Sequence, residues 1–253
     1  NIEKLHVLKF RNLTDQYLLP NNNINVILGQ NGEGKTNFIE SIYYLGHGRS
    51  FKTKNLKDII PFEGQQIKLS AVIDKQKVSI NKTRDKSDVS IEEKKISTNS
   101  FLSQILPIQV ISPDRGFVVG GSPKLKRSYL DWGVFHNNNT TLKTYKTFKK
   151  TLKNINILLA SGNHIELEEW FTQFASLSVE ITNDRISYIE KLRGALEKES
   201  DSKFDGLIKS NGAFDFQIQT GWPKEVDPLS QKQIFEYLLK NKKAFLKTKY
   251  LSH

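Results

Sequence analysis

Residues 24–36 read Ile-Asn-Val-Ile-Leu-Gly-Gln-Asn-Gly-Glu-Gly-Lys-Thr, and this stretch decides the fold. Its second part places Gly29, Gly34, Lys35 and Thr36 at the spacing of a phosphate-binding loop. Glycine lets the backbone curl so that successive N–H groups point at phosphate oxygens. The lysine brings a point charge to the outer phosphates, and the threonine hydroxyl is suited to bind a magnesium ion. The pattern therefore predicts a site for a nucleotide with its Mg²⁺ ion.

The residues on both sides of the loop support this interpretation over a chance glycine-rich turn. The apolar run 24–28 predicts a short buried strand before the loop. Apolar residues from Phe38 to Leu45 recur at helical spacing, and Gly46 and Gly48 are stop signals. The N-terminus of that helix, with its free N–H groups, would face the phosphates. The candidate nucleotide-binding residues of this segment are Gly29, Gln30, Asn31, Gly32, Glu33, Gly34, Lys35, Thr36 and Asn37.

The rest of the chain divides into an α/β region and a helical region. Alternating or short apolar runs predict further strands at 2–10, 67–73, 77–80, 89–91 and 108–111. Two helical runs, 142–159 and 167–196, are separated by a short break and predict an antiparallel hairpin. A strand at 214–219 and a helix at 231–250 follow. We expect a lobe with the loop at 1–118, a helical lobe at 119–203, and a return segment at 204–253.

The charge of the chain favours a polyanionic partner. Lysine and arginine number 38 against 27 acids, a formal net charge of +11. No acid lies between residues 141 and 153. Like charges at helical spacing cost a few tenths of a kcal/mol each, which phosphate contacts would offset. The alternative is a solubilising surface. The candidate DNA-binding residues are Lys143, Lys146, Lys149, Lys150 and Lys153.

Composition also excludes several classes of protein. Without cysteine there is no disulfide framework and no thiol nucleophile. No apolar run approaches the length that spans a membrane. We therefore expect a cytoplasmic protein without a membrane partner.

The motifs of nucleotide hydrolysis are missing. A P-loop ATPase also needs an acid at the end of a buried strand, to hold magnesium and orient water. Neither 67–74 nor 108–114 provides one convincingly, and Leu229-Ser230-Gln231 lacks the glycine of an ABC signature loop. The catalytic residues therefore stay unassigned.

Several segments match one family, in the family's order. They are Phe10-Arg-Asn-Leu13, Gly29–Asn37, Tyr44-Leu-Gly-His-Gly-Arg-Ser-Phe51, Leu106–Asp114 and Gly121-Ser-Pro-Lys-Leu-Lys-Arg-Ser-Tyr-Leu-Asp-Trp132. On these residues the chain resembles the RecF family of bacterial DNA repair ATPases, which is of the ABC/SMC-like class. The third and fifth segments are the most specific. The likeness runs over essentially the whole chain, more weakly after residue 140.

The resemblance implies an α/β fold, an incomplete ABC-type P-loop ATPase head with a helical second lobe. It implies ATP and Mg²⁺ as cofactors and an ATP-dependent homodimer. The implied dimer binds junctions of single- and double-stranded DNA and works with RecR and RecO in loading RecA during recombinational repair and replication-fork maintenance. It also places Arg11 near the nucleotide and makes Gln109 a candidate for sensing the third phosphate.

The family's signature loop and acidic strand lie beyond residue 253. We therefore expect this sequence to bind nucleotide without hydrolysing it, although the resemblance implies ATPase activity for a full-length protein. The alternatives are another SMC-like head, a non-hydrolysing nucleotide-binding scaffold, and a P-loop kinase or GTPase. An Asn-Lys-x-Asp base-reading motif, which the GTPase alternative needs, is not found.

Overall fold

The computed structural model describes residues 1–61, 65–111, 122–138, 140–162, 165–203 and 216–251, with backbone only at 199–203. The chain forms two compact units, Asn1–Arg115 and Gly116–His253. Each unit has a hydrophobic core of its own. The boundary falls among residues outside the described ranges, as do Ser112, Pro113 and Asp114 of the resemblance.

The first unit is built on one six-stranded antiparallel sheet in the order β2-β1-β3-β4-β5-β6. The strands are β1 (Ile2–Phe10), β2 (Leu13–Leu18), β3 (Gln66–Ile73), β4 (Gln76–Thr83), β5 (Ser87–Ile91) and β6 (Lys94–Lys95). The predicted strands at 2–10, 67–73, 77–80 and 89–91 are confirmed.

Alternation of apolar and polar residues fixes which face of the sheet is buried. Leu5 pairs with Ala71 and Val7 with Leu69, and all four side chains are buried. The β3–β4 hairpin turns at residues 74–75, both with positive φ, 45° and 67°. Two central residues with positive φ suit the right-handed twist of a two-residue hairpin. The predicted meander is therefore set by local sequence.

Helix α1 (Lys35–His47) covers the buried face of this sheet. It begins after Gly34 and ends at Gly48, whose φ of 64° and N–H bond to the Tyr44 carbonyl cap the helix. The Tyr44 ring meets the Phe10 ring edge-on, with centroids 5.7 Å apart. Helix α2 (Ser100–Ile105) adds Leu102 to the same core. The predicted helix after the loop is confirmed.

Three predicted strands are wrong. Residues 24–28 form no strand and pair with no described segment, and Ile24 and Leu28 are 80% and 86% exposed. Residues 108–111 and 216–219 are likewise irregular, and residues 214 and 215 lie outside the described residues. An apolar run makes a strand only where another segment provides the hydrogen-bond ladder, and no described segment does so here.

The second unit is helical. Its helices are α3 (Pro123–Asn137), α4 (Thr141–Ser161), α5 (Leu167–Lys203), α6 (Gln231–Lys240) and α7 (Lys242–Thr248). No helix in the described ranges is long and apolar enough to cross a bilayer.

Helices α4 and α5 form the predicted antiparallel hairpin. Three threonine hydroxyls on α4 each donate to a side chain on α5, at 3.2 Å, 2.6 Å and 2.9 Å. As the donors move toward the C-terminus of α4, their acceptors move toward the N-terminus of α5, so the helices run in opposite directions. The pairs are Thr141–Asp184, Thr144–Glu180 and Thr151–Gln173. The prediction of a hairpin is confirmed.

The predicted single helix at 231–250 is interrupted at Asn241. This residue leaves helical geometry, and both its backbone N–H and its side-chain amide donate to the Tyr237 carbonyl. Ile234 and Leu238 of α6 are fully buried in the core that α4 and α5 form. Within the described residues, α6 and α7 therefore pack against the helical hairpin. The sequence analysis had assigned residues 204–253 to a return segment separate from the helical lobe.

Candidate functional site

The phosphate-binding loop lies directly before α1 in the first unit. Gly32 has a φ of 90° and Gly34 a φ of 102°, conformations that side chains rarely adopt. At Gly34 a Cβ atom would also come within 2.9 Å of the Asn12 side chain. Glycine at these two positions lets the backbone curl immediately before the helix N-terminus, as the sequence predicts.

Hydrogen bonds close the loop on itself. The Lys35 ammonium donates to the Gly29 and Gln30 carbonyl oxygens at 2.7 Å and 2.6 Å. The Gln30 N–H donates to the Glu33 carboxylate at 2.6 Å. At this loop N–H, the Glu33 carboxylate therefore accepts the hydrogen bond that a phosphate oxygen could otherwise accept. A bound phosphate would have to replace it there.

A cavity of about 250 Å³ opens at the end of the loop, on the side of α1. This is below the roughly 300–1,000 Å³ of sites that hold a whole drug-sized ligand, so its size suits a phosphate tail. The Thr36 hydroxyl there fits a Mg²⁺ ion that keeps most of its shell as water and phosphate oxygen. The cavity is lined by Asn31, Gly32, Gly34, Lys35, Thr36, Asn37 and Lys52.

Six of the predicted nucleotide-binding residues thus line one cavity, and the sequence missed one residue of its wall. Lys52 reaches it from the segment after α1, where its ammonium donates to the Asn37 side-chain oxygen at 3.3 Å. Asn37 in turn donates to Asn12 at 2.8 Å. No spacing rule links a residue so far along the chain to the loop. The available signal was its place directly after the family segment that ends at Phe51.

Arg11 and Gln109 are not among the residues that line this cavity. The Arg11 guanidinium instead donates to both carboxylate oxygens of Glu40 on α1, at 2.6 Å and 2.8 Å, and to the Asp58 carbonyl at 2.9 Å. The Glu40 side chain is fully buried and also accepts from the Ser50 hydroxyl. Gln109 is exposed in the irregular segment after α2. Their roles toward a nucleotide stay predictions.

The basic face of α4 lies in the second unit. The helix buries one stripe, which includes Thr144, Phe148 and Ile155. The five predicted lysines all fall on its exposed side. Among the described residues, no carboxylate lies within salt-bridge distance of any of them. The predicted arrangement is therefore present: a solvent-facing row of like charge that has no counterion among the described residues.

A polar cluster holds α3, α4 and α5 together beside this face. The Tyr145 hydroxyl and the Arg185 guanidinium donate to the same oxygen of Asp131, at 2.6 Å and 2.7 Å. Burial raises the pKa of Tyr145, so the phenol keeps its proton and remains a donor. Tyr145 lies on α4 between Lys143 and Lys146. Its hydrogen bond to Asp131 fixes the rotation of α4 about its axis, and this rotation determines which way the lysine face is directed.

Comparison with known proteins matches both units to one group. A family model described as the RecF/RecN/SMC N-terminal domain matches residues 1–113. The DNA replication and repair protein RecF of Shewanella sediminis (strain HAW-EB3) is 34% identical over 233 residues, which cover 90% of this chain and 63% of that protein. The RecF of Actinobacillus pleuropneumoniae serotype 5b (strain L20) is 36% identical over 203 residues, covering 78% of this chain and 56% of the relative.

A solved structure of the recombination mediator protein RecF with ATP, of the RecFOR pathway, superimposes with a TM-score of 0.82 at 22% identity. It covers 100% of this chain and 70% of that chain. At this identity the likeness shows the fold alone. The predicted fold class, the ABC-type ATPase head with a helical lobe, is confirmed. The chain spans less than two thirds of the length of the two curated relatives described above.

Proposed function

The chain is homologous to the RecF proteins, and from that premise we propose that it binds ATP with Mg²⁺ and acts in DNA repair as a RecF-like, DNA-binding ATPase. The observation that carries this proposal is the loop at residues 29–37. Its curled backbone, Lys35 and Thr36 meet at one cavity of the size of a phosphate tail. These are the groups that cradle phosphates and the accompanying magnesium in P-loop proteins.

Binding of the phosphate tail rearranges groups that are already in place. The Lys35 ammonium leaves the loop carbonyls for phosphate oxygens, and the Glu33 carboxylate leaves the Gln30 N–H. The N-terminus of α1 then faces the negative charge, which its free N–H groups and dipole favour. The Thr36 hydroxyl would provide one ligand to a Mg²⁺ ion, which would neutralise part of the charge of the phosphates.

The proposed partners are those of the RecF proteins. ATP drives formation of a homodimer, the dimer binds junctions of single- and double-stranded DNA, and RecR- and RecO-type proteins complete the assembly that loads a recombinase in the cytoplasm. Support comes from the curated relatives, which are DNA replication and repair proteins, and from the exposed lysine row on α4. We propose that this row contacts the phosphate backbone of the DNA.

Titration with Mg·ATP tests the nucleotide site. We expect the 253-residue chain to bind ATP and the Lys35→Ala variant to lose about 10- to 100-fold in affinity, because charge-assisted hydrogen bonds to phosphate are lost. Lys68→Ala removes an exposed lysine that does not line the cavity, and it should bind as the parent does. No affinity at millimolar Mg·ATP would support a scaffold instead. A clear preference for GTP would support a GTPase.

We further propose that these 253 residues bind ATP without turning it over. Two features of the sequence support this: no glycine follows Ser230 in the signature-like segment, and neither 67–74 nor 108–114 provides a convincing catalytic acid at a strand end. Phosphate release by the purified chain, abolished in Lys35→Ala, would contradict it. A matched assay with ADP in place of ATP controls for contaminating phosphate.

A further inference from the structure

A second cavity of the first unit brings three cations together. It has a volume of about 520 Å³, and its lining residues are Lys54, Asn55, Leu56, Lys57, Asp58 and Arg84. None of these residues lines the cavity beside the phosphate loop. We propose that this cavity is a second phosphate-binding site, separate from the nucleotide site, and that it takes a ligand with at least two neighbouring phosphate charges.

The charge of the cavity favours an anionic ligand. Three cations and the Asp58 carboxylate give the lining residues a formal net charge of +2. Within the described ranges, the side chains of Lys54, Lys57 and Arg84 have neither a hydrogen-bond partner nor an ion-pair partner. Like charges that share a cavity repel each other, and bound phosphate groups would offset this repulsion. The three cations are therefore available to a ligand.

Asp58 is held by hydrogen bonds within its own part of the fold and forms no ion pair with the described cations of the cavity. Its carboxylate accepts from the Thr53 hydroxyl, and its carbonyl oxygen accepts from the Arg11 guanidinium at 2.9 Å. The Thr53 hydroxyl also accepts from the Asn55 N–H at 3.0 Å. These bonds hold residues 53–58 in place, so a ligand meets a wall that is already ordered.

Arg84 reaches the cavity from a part of the chain that is distant in sequence. It lies in the turn between β4 and β5, which the Thr83 N–H closes by donating to the Lys86 carbonyl at 2.8 Å. The Lys86 N–H in turn donates to the Thr83 hydroxyl at 2.9 Å. A basic run within one segment is typical of a solvated surface, whereas here the fold brings cations of two segments to one cavity. This convergence distinguishes the cavity from a basic stretch of sequence.

The size of the cavity and its donors indicate the class of ligand. Its volume is about twice the 250 Å³ of the cavity at the phosphate loop and falls within the roughly 300–1,000 Å³ of sites that hold a whole small ligand. A guanidinium binds two phosphate oxygens at once, and an ammonium binds as a point charge. One guanidinium and two ammonium groups therefore match two neighbouring phosphates. Such phosphates occur in a small polyphosphate and along a DNA strand.

A titration with two ligands, magnesium-free tripolyphosphate and a short oligothymidylate, tests the site and separates these sources. All proteins carry Lys35→Ala, so that the nucleotide cavity contributes little. The cavity variant adds Lys54→Gln, Lys57→Gln and Arg84→Gln. The matched control adds Lys4→Gln, Lys68→Gln and Lys94→Gln, which remove three exposed lysines of the same unit outside both cavities.

We expect the cavity variant to lose about 10- to 100-fold in affinity for at least one of the two ligands, because charge-assisted hydrogen bonds to phosphate disappear. The control should bind as the Lys35→Ala chain does. A loss with tripolyphosphate alone identifies a small polyphosphate as the ligand, and a loss with the oligothymidylate identifies a DNA backbone.

Equal affinities of the cavity variant and the control for both ligands would overturn the inference, as would a Lys35→Ala chain that binds neither ligand. Because Lys35 is absent throughout, the result is independent of ATP binding, and the proposed function can fail without this inference failing. The three cavity cations are exposed, so their removal should leave the unfolding temperature unchanged. If the cavity variant unfolds at a lower temperature, Arg84→Ala alone carries the test, with an expected loss of about threefold to tenfold.

Discussion

The chain carries two groups of cations that differ in how they are held. In the first unit, Lys35, Lys52 and Arg11 each donate to named acceptors, and the Arg11 partner is a buried carboxylate. In the second unit, the five lysines on α4 face solvent without a carboxylate at salt-bridge distance among the described residues. In the first unit, hydrogen bonds hold the positive charges of Lys35, Lys52 and Arg11 at one position each. On α4, several positive charges lie close together but are not held by such bonds to carboxylates among the described residues.

The difference corresponds to the two kinds of binding proposed above, that of a nucleotide and that of DNA. A cation held by hydrogen bonds within a cavity can select a ligand by its geometry, because little order has to be created on binding. Exposed lysines bind negative charge without selecting a particular ligand geometry. Their contribution to affinity comes from the release of counterions and decreases as the salt concentration rises. We therefore expect nucleotide binding to depend on single residues and DNA binding on the sum of several.

The largest effect should come from removing a fixed cation. Arg11→Ala leaves the Glu40 carboxylate fully buried without its ion-pair partner. Breaking a buried pair on one side costs about 3–5 kcal/mol in the free energy of unfolding. Far-UV circular dichroism of the strands should report this loss during denaturation. All three tryptophans, at 132, 170 and 222, belong to the second unit, so their emission reports that unit separately.

Arg49→Ala is the matched control, because Arg49 is an exposed arginine close to the same helix. Its effect should stay within about 0.5 kcal/mol. Equal stability of Arg11→Ala and Arg49→Ala would show that the Arg11–Glu40 pair stabilises the fold no more than a surface ion pair does. The contrast between the held cations of the first unit and the exposed lysines of α4 would then be lost.

The opposite result is expected on α4. Replacing all five lysines by glutamine should leave the stability unchanged or raise it by a few tenths of a kcal/mol, because like charges at helical spacing repel. The magnitude of the slope of log affinity for duplex DNA against log salt should fall by up to about 4.5 units, roughly 0.9 for each phosphate that the protein no longer neutralises. Fluorescence anisotropy with labelled DNA at several salt concentrations measures this slope.

A control variant removes the same charge elsewhere. Five exposed lysines of the first unit serve for this, namely Lys4, Lys9, Lys68, Lys75 and Lys94. If their replacement by glutamine lowers the slope as much as the α4 variant does, binding depends on net charge and not on the helix face.

A smaller effect should follow from opening the phosphate loop. Glu33→Ser removes the carboxylate that accepts from the Gln30 N–H and repels phosphate. We expect ATP affinity to rise about threefold to tenfold, the equivalent of one modest hydrogen-bond exchange. Glu33→Gln keeps a hydrogen-bond acceptor but removes the charge. Its ATP affinity, measured by calorimetric titration, should lie between those of the parent chain and Glu33→Ser. Weaker binding by Glu33→Ser would mean that the carboxylate supports the loop rather than competes for it.

The smallest effect concerns pH and the helix that adjoins α4. Burial lowers the pKa of His136 on α3 below its ordinary value of 6.5. The unfolded chain then binds more protons than the folded one, so stability is complete above pH 6.5 and falls as the pH decreases below it. The change should be a fraction of a kcal/mol, since the ring is partly solvated. Unfolding by denaturant between pH 7.5 and 5.5 measures it, and His136→Phe should flatten the dependence.

What the sequence predicted correctly follows from local rules. The β3–β4 hairpin is determined by alternation and by a turn of two residues, and α1 by apolar spacing between Gly34 and Gly48. What it missed depends on distant partners. Residues 24–28 have strand character without a described ladder, and Lys52 joins the cavity through a turn that Ser50 and Glu40 hold. Helical periodicity continues across Asn241, so spacing alone gave no sign of the break there.

The lysine row on α4 has a set position and length, which limit the stretch of DNA that the proposed contact would cover. If α4 moved by one turn along α5, three buried threonine hydroxyls and their acceptors would lose their hydrogen bonds. The free-energy cost of that loss keeps α4 at one position along α5. Within α4 itself, Lys143 and Lys153 are separated along the helix axis by about 15 Å, at about 1.5 Å of rise per residue. In the proposed DNA complex, the row would span about four base pairs at about 3.4 Å each, whatever their sequence.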